Sequence, residues 1–157
     1  MTTLSGHGLS ATLPRRWEGR VFVPDLPPPA INLPVLHAAS FRLPADEATF
    51  GSEAARVMGG RGALMALVEY DPALGGFGLF ETAGPPPSLR PSDFDPNALQ
   101  VRRAGQAGMQ RFFTWHGRAL CLYVVLGTAA GTVTALAEAN TVLTSMDVVR
   151  ANGERSP

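Results

Sequence analysis

Lysine is absent from the 157 residues: all 13 basic side chains are arginine, balanced by 13 acidic ones, so the formal net charge is zero. The arginines are scattered along the chain. A nucleic-acid footprint needs a basic face with surplus positive charge, so no nucleic-acid partner is expected. Cysteine occurs once, at Cys121. That excludes an internal disulfide and fits a reducing cytoplasm. No apolar run reaches the about 18 residues of a membrane span, so no membrane insertion is expected. The opening MTTLSGHGLSATLP has neither a charged leader nor a long apolar core, and no signal peptide is expected.

Catalytic and metal motifs are missing too. His7, His37 and His116 are the only imidazoles, far apart and without HxH, HExxH or CxxC spacing, so neither a metal nor another cofactor is expected. A Cys/His nucleophile needs the two groups within hydrogen-bond reach. Cys121 falls mid-strand and His116 at a turn, so Cys121 reads as a small buried apolar group. Asp93 and Asp95 form a carboxylate pair two positions apart, in a proline-flanked loop, and read as turn and cap residues. The glycines of GGRG (59–62) lack the lysine and serine of a phosphate loop and read as the end of a helix before a strand. No GxSxG elbow occurs. Glu69 and Glu81 suggest strand ends with no acid–base partner. No enzymatic activity is expected.

What the chain does have is apolar substance, 45% of its residues, and frequent punctuation by 17 glycines and 14 prolines. The strongest stretch is 109–126, MQRFFTWHGRALCLYVVL. Its second half is apolar from Ala119 to Leu126, as suits a strand covered on both faces. A hairpin turn at His116-Gly117 would set Trp115 opposite Arg118, Phe113 opposite Leu120 and Phe112 opposite Cys121. It would also allow a cation–π contact between Trp115 and Arg118. Upstream, 8–14 and 17–23 read as a short hairpin turning at Pro14-Arg15-Arg16. Strands are expected at 35–43, 63–70 and 77–81, and a short helix at 50–58. Proline-rich crossings at 24–34 and 84–97 separate these pieces. Thr132 is a candidate N-cap for a helix over 132–146. That helix would bury Val133, Leu136, Ala137, Asn140, Leu143 and Met146. Residues 147–150 suggest a last short strand or an ordered tail. One domain over 8–150 is expected, with disordered tails at 1–7 and 151–157.

The opening hairpin with LPRRW, the long strand YVVLG and a terminal helix ending VLTSMDVV resemble the PsbP-like fold. That fold is shared by extrinsic photosystem subunits, a Ran-binding nuclear import factor and many bacterial proteins. The resemblance covers the two ends of the chain. The two proline-rich crossings and the missing secretion signal depart from it, and no functional residue is carried over. What it implies is an α+β fold, an αβα sandwich. Its antiparallel sheet would have about 5–7 strands, a C-terminal helix packed on it and one or two short helices.

The leading expectation is therefore a non-catalytic accessory or protein-interaction subunit of a cytoplasmic assembly. The second is a small-molecule-binding protein or enzyme with a pocket between sheet and helix, which a cavity drawing in Arg111, Tyr123 or Glu69 would favour. The third is homo-oligomerisation through an edge strand. For a protein partner the contact residues expected are Leu89 and Phe94, on a stiff crossing, with Trp115 and Arg118 at the hairpin tip.

Overall fold

Two residues with positive φ, His116 (50°) and Gly117 (79°), reverse the chain at the tip of its longest hairpin. This two-residue turn matches the twist of the strands it joins. Strands β6 (Ala107–Trp115) and β7 (Arg118–Leu126) pair along their whole length, with Trp115, Phe113 and Phe112 opposite Arg118, Leu120 and Cys121 as expected. The structure, a computed structural model, describes residues 1–45, 48–128 and 133–151. The other strands are β1 (Thr2–Gly6), β2 (Leu9–Leu13), β3 (Glu18–Phe22), β4 (Val35–Ala39), β5 (Ala63–Tyr70) and β8 (Asp147–Val148). The helices are α1 (Ser52–Val57) and α2 (Val133–Ser145).

The fold is α+β with two antiparallel sheets. Five strands form one sheet in the order β3-β4-β5-β7-β6, and three form the other in the order β1-β2-β8. Every residue of β7 is buried because the larger sheet is covered on both faces. On one face Leu120, Leu122 and Val124 join Met65 and Leu67 beneath the smaller sheet and α2. On the other, Cys121, Tyr123 and Val125 join Leu64, Ala66 and Val68 beneath α1 and flanking loops. Alternation along each strand sends successive side chains to opposite layers, so one slip of register would empty both cores.

Several expectations need correction. Residues 2–6 are not a loose tail but strand β1, paired throughout with β2. Strands β2 and β3 do turn at Pro14–Arg16, with Trp17 N–H donating to Pro14 C=O at 3.1 Å, yet they do not pair. β3 joins β4 over all five residues, which leaves β2 to turn Leu9, Ala11 and Leu13 down onto the larger sheet. The strand expected at 77–81 is a 3₁₀ turn, Gly78–Phe80. Thr114 fixes it there: its hydroxyl donates to Phe80 C=O at 2.6 Å and accepts from Gly76 N–H at 2.8 Å. Strand β4 stops at Ala39, short of the expected 43. The GGRG segment ends α1 and passes so close to β7 that a Cβ on Gly127 would lie 2.2 Å from Gly59 O, a packing only glycine allows.

Helix α2 lies against β2 and β5. Its buried face is Ala135, Ala139, Val142 and Leu143, while Val133 is 89% exposed. Of the expected face, Leu143 and Met146 are buried and Leu136 packs at the edge of the core, whereas Val133 and Ala137 are exposed and Ala135, Ala139 and Val142 take the centre. Two alanines one turn apart let the helix approach the sheet closely. The expected cap, Thr132, lies outside the described residues. Leu143→Ala should cost about 2–5 kcal/mol in urea denaturation, and Val133→Ala under about 0.5 kcal/mol. Equal small losses at both positions would mean that the buried face lies elsewhere. After α2, β8 pairs with β2 at Leu9↔Val148 and Ser10↔Asp147. Ser145 extends that junction, accepting from Thr12 N–H at 2.8 Å.

Candidate functional site

Of the four residues expected at a partner surface, two are committed to the fold. Leu89 is 2% exposed, and its backbone is gripped at both groups by Asn140. Leu89 N–H donates to Asn140 Oδ1 at 2.7 Å and Asn140 Nδ2 donates to Leu89 C=O at 3.0 Å. The crossing at 84–97 thus uses Leu89 as a plug into the core rather than as bait for a partner. Arg118 is buried as well. It donates from Nη1 to Glu69 Oε1 at 2.7 Å and from Nε to Val149 C=O at 2.7 Å. The expected cation–π contact with Trp115 does not form, because the guanidinium turns to a buried carboxylate. Trp115 stacks instead on His116, with ring centroids 5.8 Å apart. Phe94 and Trp115 are partly buried and pack against the core.

The candidate chemical groups stay apart. Glu69 lies among the side chains of one sheet face with Arg118, whereas Tyr123 lies on the opposite face, its hydroxyl accepting from Gln100 N–H at 2.8 Å. Arg111 sits on edge strand β6 and donates to Asp93 at 3.2 Å. No pocket draws these three together. Burial pushes the Glu69 carboxyl above its ordinary range, against the pull of the Arg118 guanidinium. The sequence concealed this pair, since 49 positions separate its members. Asp93 and Asp95 act as turn residues, accepting from Arg90 N–H and Asn97 N–H at 2.8 Å each. Among the described residues no cluster of His, Cys, Asp and Glu could hold a metal ion.

Cys121 is fully buried, and burial pushes its thiol up to about 12. A thiol in that state offers almost no thiolate near neutral pH, and nucleophilic chemistry requires the thiolate. The native protein should therefore resist iodoacetamide until it is unfolded, whereas prompt labelling would show the side chain to be accessible. Cys121→Ser should cost about 1–3 kcal/mol by burying a hydroxyl among Phe112, Tyr70 and Val68.

The surface features absent from the sequence reading are concave. A groove of about 460 Å³ opens at one end of the larger sheet, beneath the 24–34 crossing. Its lining is mostly apolar, including Leu26, Ile31, Leu33 and Leu74, with Glu69 and Asp71 as its charged members. Asn32 closes the crossing into a loop, accepting from Leu26 N–H at 3.0 Å and donating to Leu26 C=O at 3.3 Å. Within the lining Ile31 is 59% exposed, and along the chain beyond Leu74 so are Phe77, at 72%, and Leu79, at 67%. Phe77 adjoins the groove through its N–H bond to Leu74 C=O at 3.2 Å. A second concavity, of about 480 Å³, lies at the opposite end of the sheet, between the β2–β3 turn and the first turn of α2.

No family model, curated protein or solved structure matches this chain. No helix among the described residues is long and apolar enough to cross a membrane.

Proposed function

We propose that this chain is a non-catalytic accessory subunit of a cytoplasmic assembly. In this reading it holds an extended apolar segment of a partner protein in the groove beneath the 24–34 crossing. The observation that supports this most is the exposure of Leu26, Ile31 and Leu74 in the lining of one largely apolar groove, with exposed Phe77 bonded to Leu74 beside it. Scattered single apolar residues are ordinary on a surface, but a group bordering a groove marks a contact site. The walls suit an extended chain. Prolines and the Asn32 clamp hold the crossing in place, so little conformational entropy is lost on binding.

The groove volume, about 460 Å³, also lies in the range of small-molecule pockets, which supports a second reading as a carrier of an apolar metabolite. Affinity purification of the tagged chain from its native extract, with mass spectrometry under native conditions, separates the two. A stoichiometric protein that is lost with Ile31→Asp plus Phe77→Asp, at unchanged Tm, supports the proposal. A retained metabolite supports the second reading. A complex of this chain alone, at a multiple of 16.6 kDa, would replace both with self-assembly.

A further inference from the structure

We propose that the cleft between the β2–β3 turn and α2 is a binding site for the phosphate group of a small organic phosphate. Three arginines line it: Arg15 and Arg16 from the turn and Arg61 from the GGRG segment. They come from parts of the chain more than forty positions apart, so the fold, and not local sequence, gathers them. All three are exposed, and among the described residues none is paired with a carboxylate. Like charges gathered without counter-ions repel, and a bound anion removes that cost.

The other lining groups sharpen the assignment. Glu138 is the one carboxylate lining the cleft, and its Oε1 accepts from Trp17 Nε1 at 3.2 Å. Three guanidiniums against one carboxylate leave two net positive charges, the complement of a phosphate dianion. Guanidinium forks match phosphate oxygens in pairs, which a monoanionic carboxylate ligand would use only in part. Ser40 accepts from Ala63 N–H at 2.9 Å, so its own hydroxyl proton remains to donate. The volume of about 480 Å³ exceeds what a bare phosphate fills and leaves room for an organic body beside Trp17. Arg16 also stands at φ 74°, a conformation uncommon for a residue other than glycine. The site lies away from the apolar groove and does not depend on the partner role assigned there.

Phenyl phosphate and benzoate are the probes, titrated calorimetrically into the full chain at low salt. Phenyl phosphate should bind saturably, with benzoate weaker by about tenfold or more, as the lost charge-assisted contacts require. Arg61→Gln and Arg15→Gln should each weaken phenyl phosphate by about tenfold, with Tm unchanged because both side chains are exposed. Glu138→Gln keeps an acceptor for Trp17 while removing the negative charge, and should tighten binding. Arg102→Gln, an equal change of charge far along the chain, should leave it unaltered. Failure of the wild type to saturate at millimolar phenyl phosphate would overturn the proposal. So would equal losses for Arg61→Gln and Arg102→Gln, which would indicate only general attraction to a charged surface.

Discussion

Leu89→Ala should lower Tm by about 5–15 °C, a loss of about 2–5 kcal/mol. The side chain is 2% exposed in the core between the larger sheet and α2, so truncation removes packing and leaves a cavity. The backbone of the crossing that bears it bonds to β6 at its two ends, through Gly84 and Asp95, and its middle is held to α2 by Asn140. Asn140→Ala should then cost about 1–3 kcal/mol for each backbone group left without a partner, less where water reaches it. Because Asn140 acts by seating Leu89, the double variant should lose less than the sum of the singles. Scanning calorimetry on the three proteins decides this. An unchanged Tm for Leu89→Ala would return that residue to the surface and reopen its role in partner contact.

Arg118→Ala should be at least as damaging, by about 3–5 kcal/mol, since it leaves the Glu69 carboxylate buried without its counter-charge. It also frees Val149 C=O, which holds the end of the chain to β7. The loss should depend on pH in a definite sense. Burial raises the Glu69 carboxyl, so the folded protein holds that proton more tightly than the unfolded chain does. The stability linked to this proton is fully present below the unfolded pKa and is lost as pH rises through the folded pKa. Arg118 opposes that loss, so its removal should hurt most near neutral pH and less in acid. Urea midpoints for wild type and variant at about pH 4 and pH 7.5 test the sign. A deficit independent of pH would mean that Glu69 is not the group left stranded. Glu69→Leu combined with Arg118→Met should recover most of the stability, because an apolar pair of similar size avoids desolvating charges.

The long hairpin was legible because its pattern is local: an apolar run, a His-Gly turn and strands of matching length. The same holds for β5, α1 and the alternation of β2. What could not be read were decisions made by distant residues. Whether β2 pairs with β3 or faces it depends on β4, which takes β3 along its whole length. The short strand β1 has no strong pattern of its own and is defined by its partner. Leu89, Phe94, Trp115 and Arg118 were singled out by residue type and a stiff setting. Burial in turn depends on Asn140 and Glu69, for which the sequence offers no signal. The arginine cleft was invisible for the same reason, its members being scattered along the chain. Both proline-rich crossings share a device that composition did not suggest. Prolines remove backbone donors, and in each an asparagine amide bonds both backbone groups of one leucine.

The smaller sheet joins the two extremes of the described chain: Ser10 pairs with Asp147, and Val149 N–H reaches Gly8 C=O at 2.8 Å. During synthesis β2 therefore cannot meet β8 until residue 147 has emerged, 137 positions after Ser10. Loop closure over such a separation is slow, whereas β6 and β7 can pair as soon as their turn forms. Leu9, Ala11 and Leu13, whose cover comes from β5, β7 and α2, are thus exposed to aggregation or to a chaperone until those later elements have formed. Pulsed hydrogen exchange during refolding should find β7 protected before β2, and simultaneous protection would show that the two sheets close as one cooperative unit.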